Sequence, residues 1–241
     1  MGREETRVFS NHSCVRINGM VSPTLFLASN SPRRRQLLAL AGWKFQLNPV
    51  MIDETPYPGE KPDSYVLRLA KTKAQAAGNE IGDAGIILAA DTTVADPYGV
   101  LGKPEGPDEA IQMLRRLRGK IHQVYTALAI FNPAKGEQLS RLCCTQVTMR
   151  EYLEEEILEY VASGDPLDKA GAYAIQHPGF HPVESLDGCY TNVVGMPLCL
   201  LRSMLAQAGL TGPTRVITAV CPDDANTCPL CTSLAQGEYV L

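Results

Sequence analysis

The segment Leu25-Phe26-Leu27-Ala28-Ser29-Asn30-Ser31-Pro32-Arg33-Arg34-Arg35 constrains this chain more than any other. An apolar run leads without a linker into a turn carrying hydroxyls, and the turn opens a helix headed by three arginines. Ser31 suits the N-cap because its side-chain oxygen can accept from a free backbone N–H, and Pro32 suits the first helical position, where no N–H is needed. Leu37, Leu38, Leu40 and Ala41 supply the apolar face, and Gly42 provides the stop. A strand that feeds a capped helix directly belongs to an α/β architecture. The free N–H groups and positive dipole end of such a helix, with guanidinium forks beside them, suit a phosphate; an ordinary cap with solvated arginines is the alternative.

The strand-then-helix rhythm continues. Apolar, β-rich runs predict strands over 25–27, 45–50, 86–90, 123–131 and 141–149. Helix signals follow Ser31, Asp63 and Pro107, and recur over 151–163 and 197–208. We expect one α/β domain over residues 23–211, with a central mixed sheet flanked by helices, between an extension at 1–22 and a tail at 212–241. The tail has Gly212-Pro213 and Cys221-Pro222-Asp223-Asp224 but no sustained apolar period.

Charge and hydropathy exclude several classes. Twenty-two basic against 26 acidic side chains leave a formal charge of −4, so there is no basic footprint for nucleic acid. No apolar run approaches the roughly 20 residues that span a bilayer, and no secretory apolar core opens the chain, which predicts a cytoplasmic protein without a membrane partner. Eight cysteines are scattered through a sequence rich in other apolar residues, which favours reduced thiols. Cys221, Cys228 and Cys231 fall short of a closed zinc site because a fourth ligand is missing. His177 and His181 are separated by Pro178 and Gly179, against a helical metal pair. Neither a G-x-S-x-G elbow nor a Walker G-x-x-x-x-G-K-[ST] loop occurs.

Two placements carry chemistry. In the helix after Asp63, Val66, Leu69, Ala70, Lys73 and Ala77 share one face, which sets a lysine on the buried side, where it requires an anionic partner or must snorkel to the edge. Arg68 and Lys71 lie elsewhere on that helix and need no special role. Asp91 follows the apolar run Ile86-Ile87-Leu88-Ala89-Ala90, which predicts a carboxylate delivered at a strand terminus, where ligand sites of open α/β sheets gather. Glu54 is the second carboxylate candidate. One or two carboxylates completed by phosphate oxygens suit magnesium, with manganese as the alternative.

Taken together, Ala28-Ser29 with Ser31-Pro32-Arg33-Arg34, Asp53-Glu54, the run from Tyr65 to Ala74, Ala90-Asp91-Thr92-Thr93-Val94, Gly102-Lys103-Pro104, Asp165-Pro166-Leu167-Asp168-Lys169-Ala170-Gly171 and Asn192-Val193-Val194-Gly195-Met196-Pro197 resemble, in order, the Maf family of nucleoside triphosphate pyrophosphatases. The likeness covers about 24–205. It implies an inosine-triphosphatase-like fold, a homodimer, and hydrolysis of a nucleoside triphosphate to the monophosphate and pyrophosphate. Asp91 would then be proton acceptor or metal ligand, with Glu54 and Lys73 catalytic beside it. Ser29, Arg33, Arg34, Lys103, Asp168 and Lys169 would line the substrate. Arg33, Thr92 and Gln176 resemble the subgroup acting on dTTP and UTP, with modified pyrimidine nucleotides as further candidates. An amide such as Gln176 can both donate to and accept from an imide edge. Asn30, Ala174 and His177-Pro178 depart from the family pattern beside the pocket. The rival readings are a nucleotide-binding regulator without turnover and a broader pyrophosphatase for modified nucleotides.

Overall fold

The computed structural model describes residues 23–210 and Gly212, together with the backbone of 16–17 and 20–21. The expectations for the cysteine-containing tail, and for the side chains of the extension, lie outside the described residues. Within the extension, β1 (Arg16–Ile17) and β2 (Met20–Val21) pair antiparallel. The domain then runs β3 (Thr24–Leu27), α1 (Pro32–Leu40), β4 (Gln46–Leu47), α2 (Pro62–Ile81), β5 (Gly85–Asp96), β6 (Gly99–Leu101), α3 (Pro107–Leu117), β7 (Ile121–Asn132), β8 (Glu137–Met149), α4 (Glu154–Ala162), β9 (Val183–Asp187), α5 (Tyr190–Val194) and α6 (Leu198–Gln207). The sheet order is β4-β3-β5-β7-β8-β9, with β6 added to the edge of β5. β3 is parallel to β4 and β5, while every later pairing is antiparallel, so the sheet is mixed as expected.

Both faces of β5 are covered, which is why its sequence is almost continuously apolar. Ile86, Leu88 and Ala90 point to one face and pack with Leu37, Leu38, Leu201 and Leu205 of α1 and α6. Ile87 and Ala89 point to the other and meet Val66, Ala70, Ala74 and Ala77 of α2. The small residues of α2 let it lie close to the sheet. A Cβ on Gly78 would sit 2.4 Å from the Phe131 ring, so even alanine would collide there. A third cluster, formed by Val94, Val124, Val147 and Met149 with residues of α3 and α4, fills the other end of the sheet.

Three sequence expectations change. The strand over 45–50 shrinks to Gln46–Leu47, because its residues form an exposed edge with no second neighbour. Asp91 is not at a strand end: it is the seventh residue of the 12-residue β5. The terminus beside it belongs to β3, whose pairing with β5 ends at Leu27 opposite Leu88, while β6 joins the same edge only from Val94. One edge of β5 is therefore open between these two partners. The third change is an addition: β9 and the short α5 had no sequence signal, since β9 is a half-exposed edge strand without clean alternation.

Candidate active site

The open edge of β5 forms one wall of a cavity of about 660 Å³, a size suited to a small organic ligand. All eleven residues expected at the site border it: Ser29, Arg33, Arg34, Glu54, Lys73, Asp91, Thr92, Lys103, Asp168, Lys169 and Gln176. They come from six separate segments, brought together where β3 stops and α1 begins.

Strand alternation assigns Asp91 and Thr92 to opposite faces of β5. Asp91 faces α2, and Lys73 Nζ lies 2.6 Å from its Oδ1 and 2.7 Å from Glu54 Oε1. The lysine thus finds the anionic partner its placement required in two carboxylates of the protein. An ammonium has three N–H donors, so one remains for a ligand. Burial pushes the Asp91 carboxyl above the ordinary carboxylate range, and Lys73 and Arg34 oppose that rise.

Thr92 faces the other side, opposite Thr126 on β7, and their hydroxyl oxygens are 2.9 Å apart. The Thr126 hydroxyl donates to Asn192 O at 3.0 Å, so the Thr92 proton goes to Thr126. Arg34 donates to the Thr92 oxygen at 3.0 Å. Thr92 is left able only to accept from a ligand.

Arg34 is engaged by protein acceptors around the gap. It donates to Ala90 O at 2.8 Å, Gly195 O at 3.0 Å and Ser29 Oγ at 3.3 Å, besides Thr92. The bond to Ala90 O supplies the open edge of β5 with a donor that a neighbouring strand would otherwise provide. Ser29 Oγ also accepts from the Ser31 N–H, and Ser31 caps α1 as expected, accepting from the Arg34 N–H at 3.5 Å.

The opposite wall is pinned by charge pairs. Arg33 reaches Asp168 Oδ2 at 3.1 Å, while Lys169, nearly buried, bonds Asp168 Oδ1 at 2.8 Å and Asp165 Oδ1 at 2.9 Å. Lys103 stands exposed on its loop, which is fixed by the Gly171 N–H donating to Gly102 O at 3.0 Å. Gly171 has φ +71°, and a Cβ there would press on Val94, so this turn requires glycine. Gln176 is exposed at the cavity rim.

Two contributors escaped sequence reasoning. Arg68, read as having no special role, braces the loop that carries Glu54: it pairs with Glu60 at 2.6 Å, donates to Thr55 O at 3.1 Å and lies 4.0 Å from the Tyr57 ring centre. Tyr65 on the same helix donates to Glu54 O at 2.9 Å. Their spacing on α2 was visible, but their partners lie in an irregular loop whose path no periodicity describes. Among the described residues no group of three or more His, Cys, Asp or Glu side chains forms a ready metal cage.

Residues 24–208 match the family described as Maf-like protein. A dTTP/UTP pyrophosphatase of Citrifermentans bemidjiense is 42% identical over 193 residues, covering 80% of this chain and all of the relative. Another of the same name from Thermomicrobium roseum is 44% identical over 220 residues, covering 89% of this chain and 95% of the relative. Among solved structures, the Staphylococcus aureus Ham1 protein superposes over 77% of this chain with a TM-score of 0.44 and 14% identity.

Proposed function

The chain belongs to the Maf family, and from that premise we infer that it hydrolyses dTTP and UTP to the nucleoside monophosphate and pyrophosphate. The observation that carries this reading is the arrangement at Lys73: a nearly buried cation held between two carboxylates, beside a cavity whose rim offers Arg33 and Lys103.

The reaction adds water to the α-phosphorus and breaks its bond to the oxygen bridging to the β-phosphorus, and pyrophosphate carries that oxygen away. Most of the catalytic need is to position the water and neutralise charge. Asp91 takes the role of proton acceptor or metal ligand for the water, with its carboxyl already raised by burial. Lys73 directs its third N–H to a phosphate oxygen while the other two keep Asp91 and Glu54 in place. Lys103 and Arg33 meet the remaining phosphate charge, and Arg34 holds the Ala90 carbonyl before Asp91 and the Thr92 hydroxyl after it, with at most one N–H left for substrate.

A divalent cation fits this donor set. Asp91 and Glu54 converge on a single cationic atom, and two carboxylates completed by phosphate oxygens and water are what magnesium prefers. These two residues would hold magnesium, or manganese in its place. When bound, such an ion withdraws charge from the phosphate oxygens. The reading includes a cytoplasmic homodimer, supported by the family resemblance; among the described residues no helix is long and apolar enough to cross a membrane.

The test is pyrophosphate release from dTTP, UTP, CTP, GTP, 7-methyl-GTP and modified pyrimidine nucleotides, with magnesium, with manganese and with chelator. Turnover of dTTP and UTP that depends on the cation supports the reading. Tight nucleotide binding without pyrophosphate release overturns it.

A further inference from the structure

Gln176, the residue read as facing the base, belongs to a turn closed by the His177 N–H donating to Ala174 O at 3.2 Å. Both ends of this turn touch one side chain that does not border the cavity. The Ala174 N–H donates to the Tyr160 hydroxyl at 3.0 Å. The His177 ring packs edge-on against the Tyr160 ring, with centroids 4.7 Å apart. Tyr160 projects from α4, is 3% exposed, and stacks its ring on Phe180 at 4.5 Å. The backbone N–H groups of Gly179 and Phe180 donate to His177 Nδ1 at 3.3 and 2.9 Å, which fixes the imidazole against the tyrosine.

The same hydroxyl also points the other way. It donates to Asp165 Oδ2 at 2.7 Å, and Asp165 Oδ1 receives Lys169 Nζ at 2.9 Å. Lys169 bonds Asp168, and Asp168 receives Arg33. The bonds therefore run without a break from Arg33 on α1, through Asp168, Lys169, Asp165 and Tyr160, to the backbone of Ala174. Arg33 stands at one end, and the turn that carries Gln176 begins at the other. The Tyr160 hydroxyl is saturated as donor to a carboxylate and acceptor from an amide, so its position is set on both sides.

We propose that Tyr160 is a positioning residue for base selectivity, holding the Gln176 turn at a fixed distance from Arg33 across the pocket. It touches neither the phosphates nor the carboxylates that would handle water, so its effect falls on which base is held and not on the reaction step. A mobile Gln176 would lose most of its power to discriminate between bases, because discrimination depends on holding its donor and acceptor in register with the base edge. This inference rests on the dTTP/UTP reading above.

The experiment compares wild type with Tyr160→Phe, which keeps the ring and removes both hydrogen bonds, and with His177→Ala, which removes the ring contact at the surface. Steady-state kinetics with dTTP and CTP is paired with calorimetric binding of dTMP and CMP. In each variant the preference for the thymine over the cytosine ligand should fall about two- to tenfold, the scale of one neutral hydrogen bond. The change should sit in KM and in dTMP affinity, with kcat for dTTP within about twofold of wild type, as expected for lost uniform binding. An unchanged preference in both variants overturns the proposal, as does an equal fall in kcat for both nucleotides. If Tyr160→Phe fails to fold, the His177→Ala result decides alone. A wild-type protein with no preference for thymine or uracil defeats the substrate reading itself, and the proposal with it. That outcome is separate from a wild-type preference that the variants retain.

Discussion

Lys73 and Asp91 form a nearly buried ion pair in which the lysine holds a second carboxylate, Glu54, while Asp91 depends on the lysine. The Asp91 side chain is 11% exposed and that of Glu54 is 54% exposed, so the two acids have unequal need of their partner. Removing the lysine leaves a buried carboxylate without its nearest counter-charge, whereas neutralising Asp91 leaves Lys73 still paired with Glu54. Lys73→Met should therefore cost roughly 3 kcal/mol of stability, the scale of breaking a buried pair from one side. Asp91→Asn should fold normally and lose at least about a hundredfold in turnover, within the range for a missing general base. Urea midpoints and pyrophosphate release on the same preparations check both. Equal stability of the two variants, or near-normal turnover of Asp91→Asn, would contradict the arrangement.

Arg34 poses a different problem, because it is the donor that closes the open edge of β5. Its bonds to Ala90 O, Thr92 Oγ1, Gly195 O and Ser29 Oγ demand a planar fork, which lysine lacks. Arg34→Lys should lower stability by about 2 kcal/mol, the cost of leaving buried acceptors unpaired. Because the bonds flank Asp91, kcat should fall more than KM rises. A variant that only raises KM for the triphosphate would show that Arg34 is chiefly a phosphate ligand.

What could be read from the sequence, and what could not, follows from whether a signal is local. Ser31-Pro32, Asp63 and Pro107 announce helices because caps and first turns depend on adjacent residues alone. The face of α2 that carries Lys73 was legible because a helix period repeats over many residues. Asp91 was identified, but its position within the strand was not, since the gap beside it is created by β3 ending and β6 beginning elsewhere in the chain. The bracing by Arg68 and Tyr160 was invisible for the same reason: each acts on a loop whose course only the folded chain defines. The short β9 lacked a period altogether, and its burial depends on one neighbour, β8.

His122 offers a test through pH. It is fully buried, with Nε2 2.8 Å from the Tyr173 hydroxyl and Nδ1 meeting no partner among the described residues. Burial pushes its imidazole down to about 4, and only Asp96 opposes that fall. In the unfolded chain the group titrates near about 6.5. Between those two values the unfolded state binds a proton that the folded state refuses, so stability is full above the upper value and declines as pH falls toward the lower one. From pH 7 to pH 5 the wild type should lose about 2 kcal/mol through this residue, a loss that His122→Leu should not share. Parallel urea titrations at the two pH values measure it, and equal losses in both proteins would exclude His122 as the source.

Base choice tests the outer wall of the site. Gln176 stands at the cavity rim with an amide that can donate to a uracil or thymine carbonyl and accept from the ring N–H, while Thr92 is restricted to accepting because its proton is committed to Thr126. The donor and acceptor of one amide match a carbonyl and the adjacent ring N–H of an imide edge, and Thr92 could meet only that N–H. The kcat/KM values should therefore favour dTTP and UTP over GTP and 7-methyl-GTP. Gln176→Glu replaces the donor with a carboxylate that can only accept, so a base carbonyl facing it loses its partner. The mismatch should cost about 1–3 kcal/mol, equivalent to a loss in kcat/KM for dTTP of roughly fivefold to over a hundredfold. GTP turnover should change far less, because it never used that donor. Should Gln176→Glu slow every nucleotide equally, the amide supports the phosphate chemistry and does not read the base; should the wild type prefer 7-methyl-GTP, the pattern of Arg33, Thr92 and Gln176 does not set specificity in this chain.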